Sequence, residues 1–105
     1  MEIQLKEFLG LLKSKSRRLA YTIHSEGQSQ KRHLPLSVFE KDLKGSSPVA
    51  IKEQESESTG ERKFDLYYLQ SGDYFHRYVI VINSEIRLIT LMRVSREIQK
   101  KWAKK

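Results

Sequence analysis

The amino-acid sequence predicts an α+β fold, with two N-terminal helices and a basic C-terminal helix packed on a mostly antiparallel sheet of four to five strands. Apolar residues recur at helical spacing near both ends of the chain, and the last third holds three runs of aromatic and β-branched residues separated by short turns. A length of 105 residues allows one domain, which we place over residues 1–105.

The first half of the chain predicts two helices and one strand. Leu5, Phe8, Leu9 and Leu12 recur at the spacing of one helix stripe, which indicates a helix over about residues 2–15. Leu19, Tyr21 and Ile23 alternate with more polar residues, as in a half-buried strand. We interpret residues 27–30 as a loop. Pro35 and Gly45 then bracket a second short helix, with Leu36, Phe39 and Leu43 on one side.

The second half predicts strands. Residues 49–52 form a short strand, and the acidic stretch 53–60 forms a loop. The runs 64–69, 75–82 and 86–93 form an antiparallel meander, because only two or three turn-forming residues separate consecutive runs. The middle run is apolar on both faces, so we expect it to be central in the sheet.

The tail changes to a helical period. Val94, Ile98 and Trp102 fall four residues apart, Ser95 precedes the turns as an N-cap, and lysines and arginines occupy the other side. This pattern predicts a basic amphipathic helix. The expected order of elements is therefore α-β-α-β-β-β-β-α.

Charge is the main compositional clue to function. Lys and Arg number 20 against 13 Asp and Glu, for a net charge of +7, and the basic excess lies before residue 49 and after residue 84. A positive surface attracts polyanions, so RNA or another nucleic acid is the expected partner, with Arg32, Arg96, Lys100 and Lys101 holding its backbone. The alternative is a solvated surface that only maintains solubility.

Several classes are excluded or disfavoured. The absence of cysteine rules out disulfides, thiolate nucleophiles and cysteine-ligated metals. His24, His33 and His76 lack the spacing of metal ligands, so we expect no metal, and no cofactor motif is present. Neither a membrane span nor a signal peptide is recognisable, so we expect a cytoplasmic protein without membrane contact.

The last hairpin offers a candidate catalytic cluster. If Asn83 and Ser84 form a two-residue turn, Ile80 pairs with Arg87, and the side chains of His76, Tyr78 and Arg87 share one face of the sheet. Arg93 joins that face if the strand is long enough. Arginine holds phosphate oxygens while His or Tyr moves protons, which suits RNA cleavage without a metal. The alternative is structural, with Tyr78 in the core and Arg87 reaching water.

Two segments resemble the BrnT-type toxins of the RelE/ParE-like family of small ribonucleases. Residues 31–40, KRHLPLSVFE, are similar to the family's opening K-H-G-[IV]-[ST]-F, and residues 87–97, RLITLMRVSRE, to its strand-to-helix segment R-[IV]-I-S-A-R-x-A-[ST]-x-x-E. Leu34 replaces the glycine, and Leu91-Met92 replace Ala-Arg, so Arg93 would have to supply that arginine. The resemblance implies a RelE-like fold, a toxin-type ribonuclease and an acidic antitoxin-like partner.

Three functions therefore stay open. The first is a metal-independent endoribonuclease with Arg87 and Arg93 on the phosphate and His76 or Tyr78 as acid or base. The second is a nucleic-acid-binding domain without catalysis. The third is an interaction module in which the acidic residues 53–61 bind a basic protein.

Overall fold

The computed structural model of the chain describes residues 5–13, 18–45, 47–55, 60–70 and 74–95. The helices in this part of the chain are α1 (Leu5–Lys13), α2 (Ile23–Lys31) and α3 (Leu36–Gly45). The strands are β1 (Arg18–Tyr21), β2 (Ala50–Gln54), β3 (Arg62–Leu69), β4 (Tyr74–Ile82) and β5 (Glu85–Ser95).

The five strands form one sheet in the order β1-β5-β4-β3-β2. Strand β1 runs parallel to β5, whereas the other neighbours are antiparallel. The α+β class, the antiparallel meander β3-β4-β5 and the central place of β4 are confirmed. The described helices are too short and too polar to span a membrane.

The prediction of a loop at residues 27–30 is wrong, because these residues belong to α2. The helix has almost no apolar stripe, so the periodicity test could not find it. It is defined instead by a capping box, in which Thr22 Oγ1 accepts from the Ser25 N–H and Ser25 Oγ accepts from the Thr22 N–H, both at 3.0 Å. Ile23, expected in a strand, begins α2 and is exposed.

The C-terminal helix is not supported at its predicted start. Strand β5 continues through Val94 and Ser95, which pair with Phe75 and Tyr74, so neither residue begins a helix. Cross-strand pairing and the burial of Val94 outweigh the helical spacing of Val94, Ile98 and Trp102. The rest of that predicted helix lies outside the described residues.

One face of the sheet, here called the helix face, carries the main core. Buried Phe8, Phe39 and Leu43 from α1 and α3 pack there with the buried side chains of the strands. Those strand residues are Ile51, Phe64, Leu66, Tyr68, Tyr78, Ile80, Ile82, Ile86, Leu88 and Leu91. The opposite face, here called the second face, carries the alternating residues of the strands, among them Asp65, Arg77, Val79 and Arg87.

Helix α2 protects the outer edge of β5 beyond the short strand β1. The Leu91 N–H donates to Gln28 Oε1 at 3.1 Å, and Arg32 Nη1 donates to the Leu91 carbonyl at 2.7 Å. These side chains take the place of a neighbouring strand, so the edge is closed to further pairing at this residue. The same contacts fix the end of α2 against the sheet.

Candidate nucleic-acid interface

The register of the last hairpin differs from the predicted one, and this changes which side chains meet. Ile82 pairs with Ile86 rather than Glu85, and Asn83 Oδ1 accepts from the Glu85 N–H at 2.9 Å inside the turn. A β-bulge then inserts Ile89 as an extra residue on β5 between Leu88 and Thr90. The longer turn and the bulge each shift the pairing between β4 and β5 by one residue.

As a result, the structure does not assemble the predicted catalytic cluster. Arg87 pairs with Val81 and lies on the second face, whereas His76 and Tyr78 lie on the helix face. The prediction that Arg87 shares a face with them is therefore wrong. Arg87 instead forms an ion pair with Glu85, with Nη2 and Oε1 3.0 Å apart. Arg93 does lie on the helix face, directly across from His76.

His76 and Tyr78 belong to a buried polar cluster centred on Asp42. The Tyr78 hydroxyl donates to Asp42 Oδ2 at 2.6 Å, Gln70 Nε2 donates at 3.1 Å, and His76 Nδ1 lies 3.3 Å away. His76 and Asp42 are 4% and 7% exposed, and Tyr78 is fully buried. The cluster ties α3 to β4 and has almost no access to water.

Electrostatics favours the neutral forms of His76 and Tyr78 in this cluster. Burial lowers the pKa of His76, and the bond to Asp42 opposes that effect only in part, while the nearby Arg93 lowers the pKa further. Burial and the bond to Asp42 raise the pKa of Tyr78, so its hydroxyl stays protonated. Because a carboxylate only accepts, Nδ1 of neutral His76 carries the hydrogen. Among the described residues, Nε2 has no hydrogen-bond partner.

Asp42 is not among the site residues predicted from the sequence. It lies on α3 between Phe39 and Leu43, two residues of the buried stripe. A carboxylate at that position of an amphipathic helix is a usable signal, because a buried Asp needs partners.

A second group of residues is exposed and basic. Arg32, His33 and Arg93, here called the basic corner, meet where α2 ends beside β5. Arg32 Nη1 donates to the Leu91 carbonyl, and Arg93 Nη2 lies 3.4 Å from the His33 carbonyl. Both contacts cross between the two segments, so residues about sixty positions apart in the chain form one surface.

The arginines of the basic corner differ in their partners from Arg62, Arg77 and Arg87. Arg62, Arg77 and Arg87 each form an ion pair with a carboxylate, at 2.7 to 3.0 Å. Arg32 and Arg93 have no carboxylate within ion-pair distance in the described part of the chain, and their acceptors are backbone carbonyls. Within the described ranges, their charge is therefore not neutralised by a carboxylate.

An aromatic side chain completes this surface. The Arg93 guanidinium carbon lies 5.9 Å from the centre of the Tyr74 ring, and that ring lies 5.7 Å from the His76 ring. Tyr74 is half-buried. An arginine beside an exposed part of an aromatic ring offers a phosphate contact and a stacking surface together.

The other predicted binding residues, Arg96, Lys100 and Lys101, lie outside the described residues. Within the described ranges, no three His, Asp or Glu side chains group as metal ligands would. Comparison of the chain with protein-family models, curated proteins and solved structures finds no match. The function must therefore be inferred from the chemistry of the site itself.

Proposed function

We propose that this protein binds RNA through the basic corner. The supporting observation is that Arg32 and Arg93 each contact the other's segment and have no neutralising carboxylate among the described residues, while Arg62, Arg77 and Arg87 are paired. A bound phosphate would supply the opposite charge.

The chemistry of arginine suits this role. A guanidinium has five N–H donors, and the contacts to backbone carbonyls occupy one nitrogen of each side chain. The remaining donors are available for a bidentate contact with phosphate oxygens. The net charge of +7 adds long-range attraction, and Tyr74 provides a ring on which an unpaired base can stack.

Fluorescence anisotropy with a labelled single-stranded RNA at two salt concentrations tests the proposal. Arg93→Ala should weaken binding about tenfold and lower the salt slope by about one, because one phosphate contact is lost. Arg87→Ala is the matched control, since Arg87 is a partly exposed arginine of the same strand that is already paired. Equal effects of the two substitutions, or no binding at low salt, would contradict the proposal.

A second candidate function is metal-independent cleavage of the bound RNA. The observation that favours it is the pair formed by Asp42 and His76. Arg93 lies opposite His76 on the neighbouring strand, and Nε2 of His76 has no hydrogen-bond partner among the described residues. Asp42 would hold the imidazole in the tautomer that leaves Nε2 as a base. The 2′-hydroxyl would lose its proton, attack the adjacent phosphorus and expel the 5′-oxygen, which is then protonated, leaving a 2′,3′-cyclic phosphate.

In this candidate reaction, the residues predicted from the sequence have distinct roles. Arg93 would stabilise the charge on the phosphate, and Tyr78 would position Asp42. Incubation with total RNA in EDTA tests this candidate, with His76→Gln and Arg93→Lys as variants. Loss of cleavage in His76→Gln with unchanged RNA binding would support it. Intact RNA with the wild-type protein would leave binding as the function.

The resemblance to BrnT-type toxins adds an acidic antitoxin-like protein to the cleavage candidate. Such a protein would compete with RNA for the unpaired arginines of the basic corner. Co-purification with the product of a neighbouring acidic reading frame, disrupted by Arg93→Ala and not by Arg87→Ala, would support that partner.

A further inference from the structure

The turn that ends α2 contains a residue of unusual backbone conformation. His33 has φ +50°, and in the described part of the chain it is the single non-glycine residue with positive φ. The Leu34 N–H donates to the Ser29 carbonyl at 3.0 Å, and the His33 N–H lies 3.4 Å from the Gln30 carbonyl. This is the Schellman pattern of a helix C-terminus, in which the position of His33 is usually glycine.

A histidine at this position destabilises the turn relative to glycine, because its Cβ is crowded when φ is positive. Packing does not explain its presence. The side chain is exposed, and its imidazole has no hydrogen bond or ion pair with the described residues. Strained residues of this kind occur at functional sites, where the side chain has a role outside the fold.

The turn nevertheless holds His33 firmly in place. Ser29 Oγ donates to the Leu34 carbonyl at 2.6 Å, and Leu34 is buried in the main core. Arg32 is bound to the Leu91 carbonyl on one side of His33, and Arg93 approaches the His33 carbonyl. The backbone of His33 is therefore fixed, its side chain is exposed, and the Arg93 guanidinium lies against its carbonyl.

We propose that His33 is an RNA-contacting residue of the basic corner, whose imidazole N–H donates to a phosphate oxygen beside Arg93. The inference rests on the proposed RNA binding and adds a residue that neither the charge pattern nor the hairpin register indicated. Because the backbone of His33 is already fixed, only its side-chain torsions lose freedom on binding, so a single imidazole can contribute measurably to affinity.

Substitution by glycine separates the role of the side chain from that of the backbone. His33→Gly should raise Tm by roughly 2 to 8 °C, because it removes the strain. It should also weaken RNA binding several-fold, because it removes the donor. His33→Asn, which tolerates positive φ and retains N–H donors, should recover part of the affinity. His33→Ala should lose affinity without the gain in Tm.

Anisotropy titrations and thermal unfolding of the same four proteins decide the outcome, with Arg93→Ala in parallel. If Arg93→Ala weakens binding and His33→Gly does not, the role of His33 is overturned while the proposed function stands. If neither the wild type nor any variant binds RNA, the proposed function fails and this inference fails with it. Weaker binding in His33→Gly together with a higher Tm supports the inference.

Discussion

Tyr78→Phe tests the buried cluster most directly, because it removes one oxygen atom and leaves the ring in place. The lost hydroxyl donates to Asp42 Oδ2 at 2.6 Å, whereas the two other groups at that oxygen, Gln70 Nε2 and His76 Nδ1, are farther away at 3.1 and 3.3 Å. Asp42 would then be a buried carboxylate without its shortest bond. Charge-assisted bonds of this kind contribute about 2 kcal/mol, which is about a 30-fold change in the unfolding equilibrium.

Urea unfolding followed by circular dichroism measures this loss, and the same change should lower Tm by roughly 8 °C. Tyr68→Phe is the matched control. Tyr68 is also buried on the helix face, 5.7 Å from the Tyr78 ring, but its hydroxyl has no hydrogen-bond partner among the described residues. Removing an unpaired buried hydroxyl should leave stability unchanged or raise it. Equal losses in the two variants would refute the assignment of the Asp42 bond.

Two further predictions concern pH and α2. The folded-state pKa of His76 lies below its usual value of 6.5, so the unfolded chain takes up its proton first, and stability should fall as pH drops below about 6.5. His76→Gln should flatten that dependence between pH 7 and 5, and an unchanged slope in urea unfolding would contradict it. Thr22→Ala should cost about 1 kcal/mol, because it removes the side-chain oxygen that accepts from the Ser25 N–H at the N-terminus of α2. Ser37→Ala, at an exposed position of α3, is its control and should be neutral in the same assay.

The sequence predicted those elements whose stability depends on apolar pattern. Helices α1 and α3 have stripes at helical spacing, and β3, β4 and β5 have the composition of buried strands, so their existence and order followed from local signals. Helix α2 did not follow, because its stability comes from the capping box and from bonds to Leu91, which is about sixty residues away in the chain. Because the partners of the bonds to Leu91 are so far apart in the chain, a local sequence pattern cannot indicate those bonds.

The candidate site was harder to predict than the fold, because it depends on a register that one residue can change. The sequence correctly placed Arg93 on the face of His76, but it also placed Arg87 there. The three-residue connection from Ile82 to Ile86 and the bulge at Ile89 each shift the pairing by one residue, and the alternation of apolar residues indicates neither of them. The extra turn residue moves Arg87 to the second face, and the extra residue at the bulge returns Arg93 to the predicted face.

RNA binding and RNA cleavage require different side chains to be accessible. Binding needs only what is already exposed, namely Arg32, His33 and Arg93 at the end of α2 and β5. Cleavage by His76 needs an imidazole that is 4% exposed to reach a substrate, so the cluster around Asp42 must first open. The rate of cleavage would then be scaled by the small fraction of molecules in the open state. The bonds that stabilise α3 on β4 would thus oppose the proposed cleavage without affecting the proposed binding, which is why we propose RNA binding first and cleavage second.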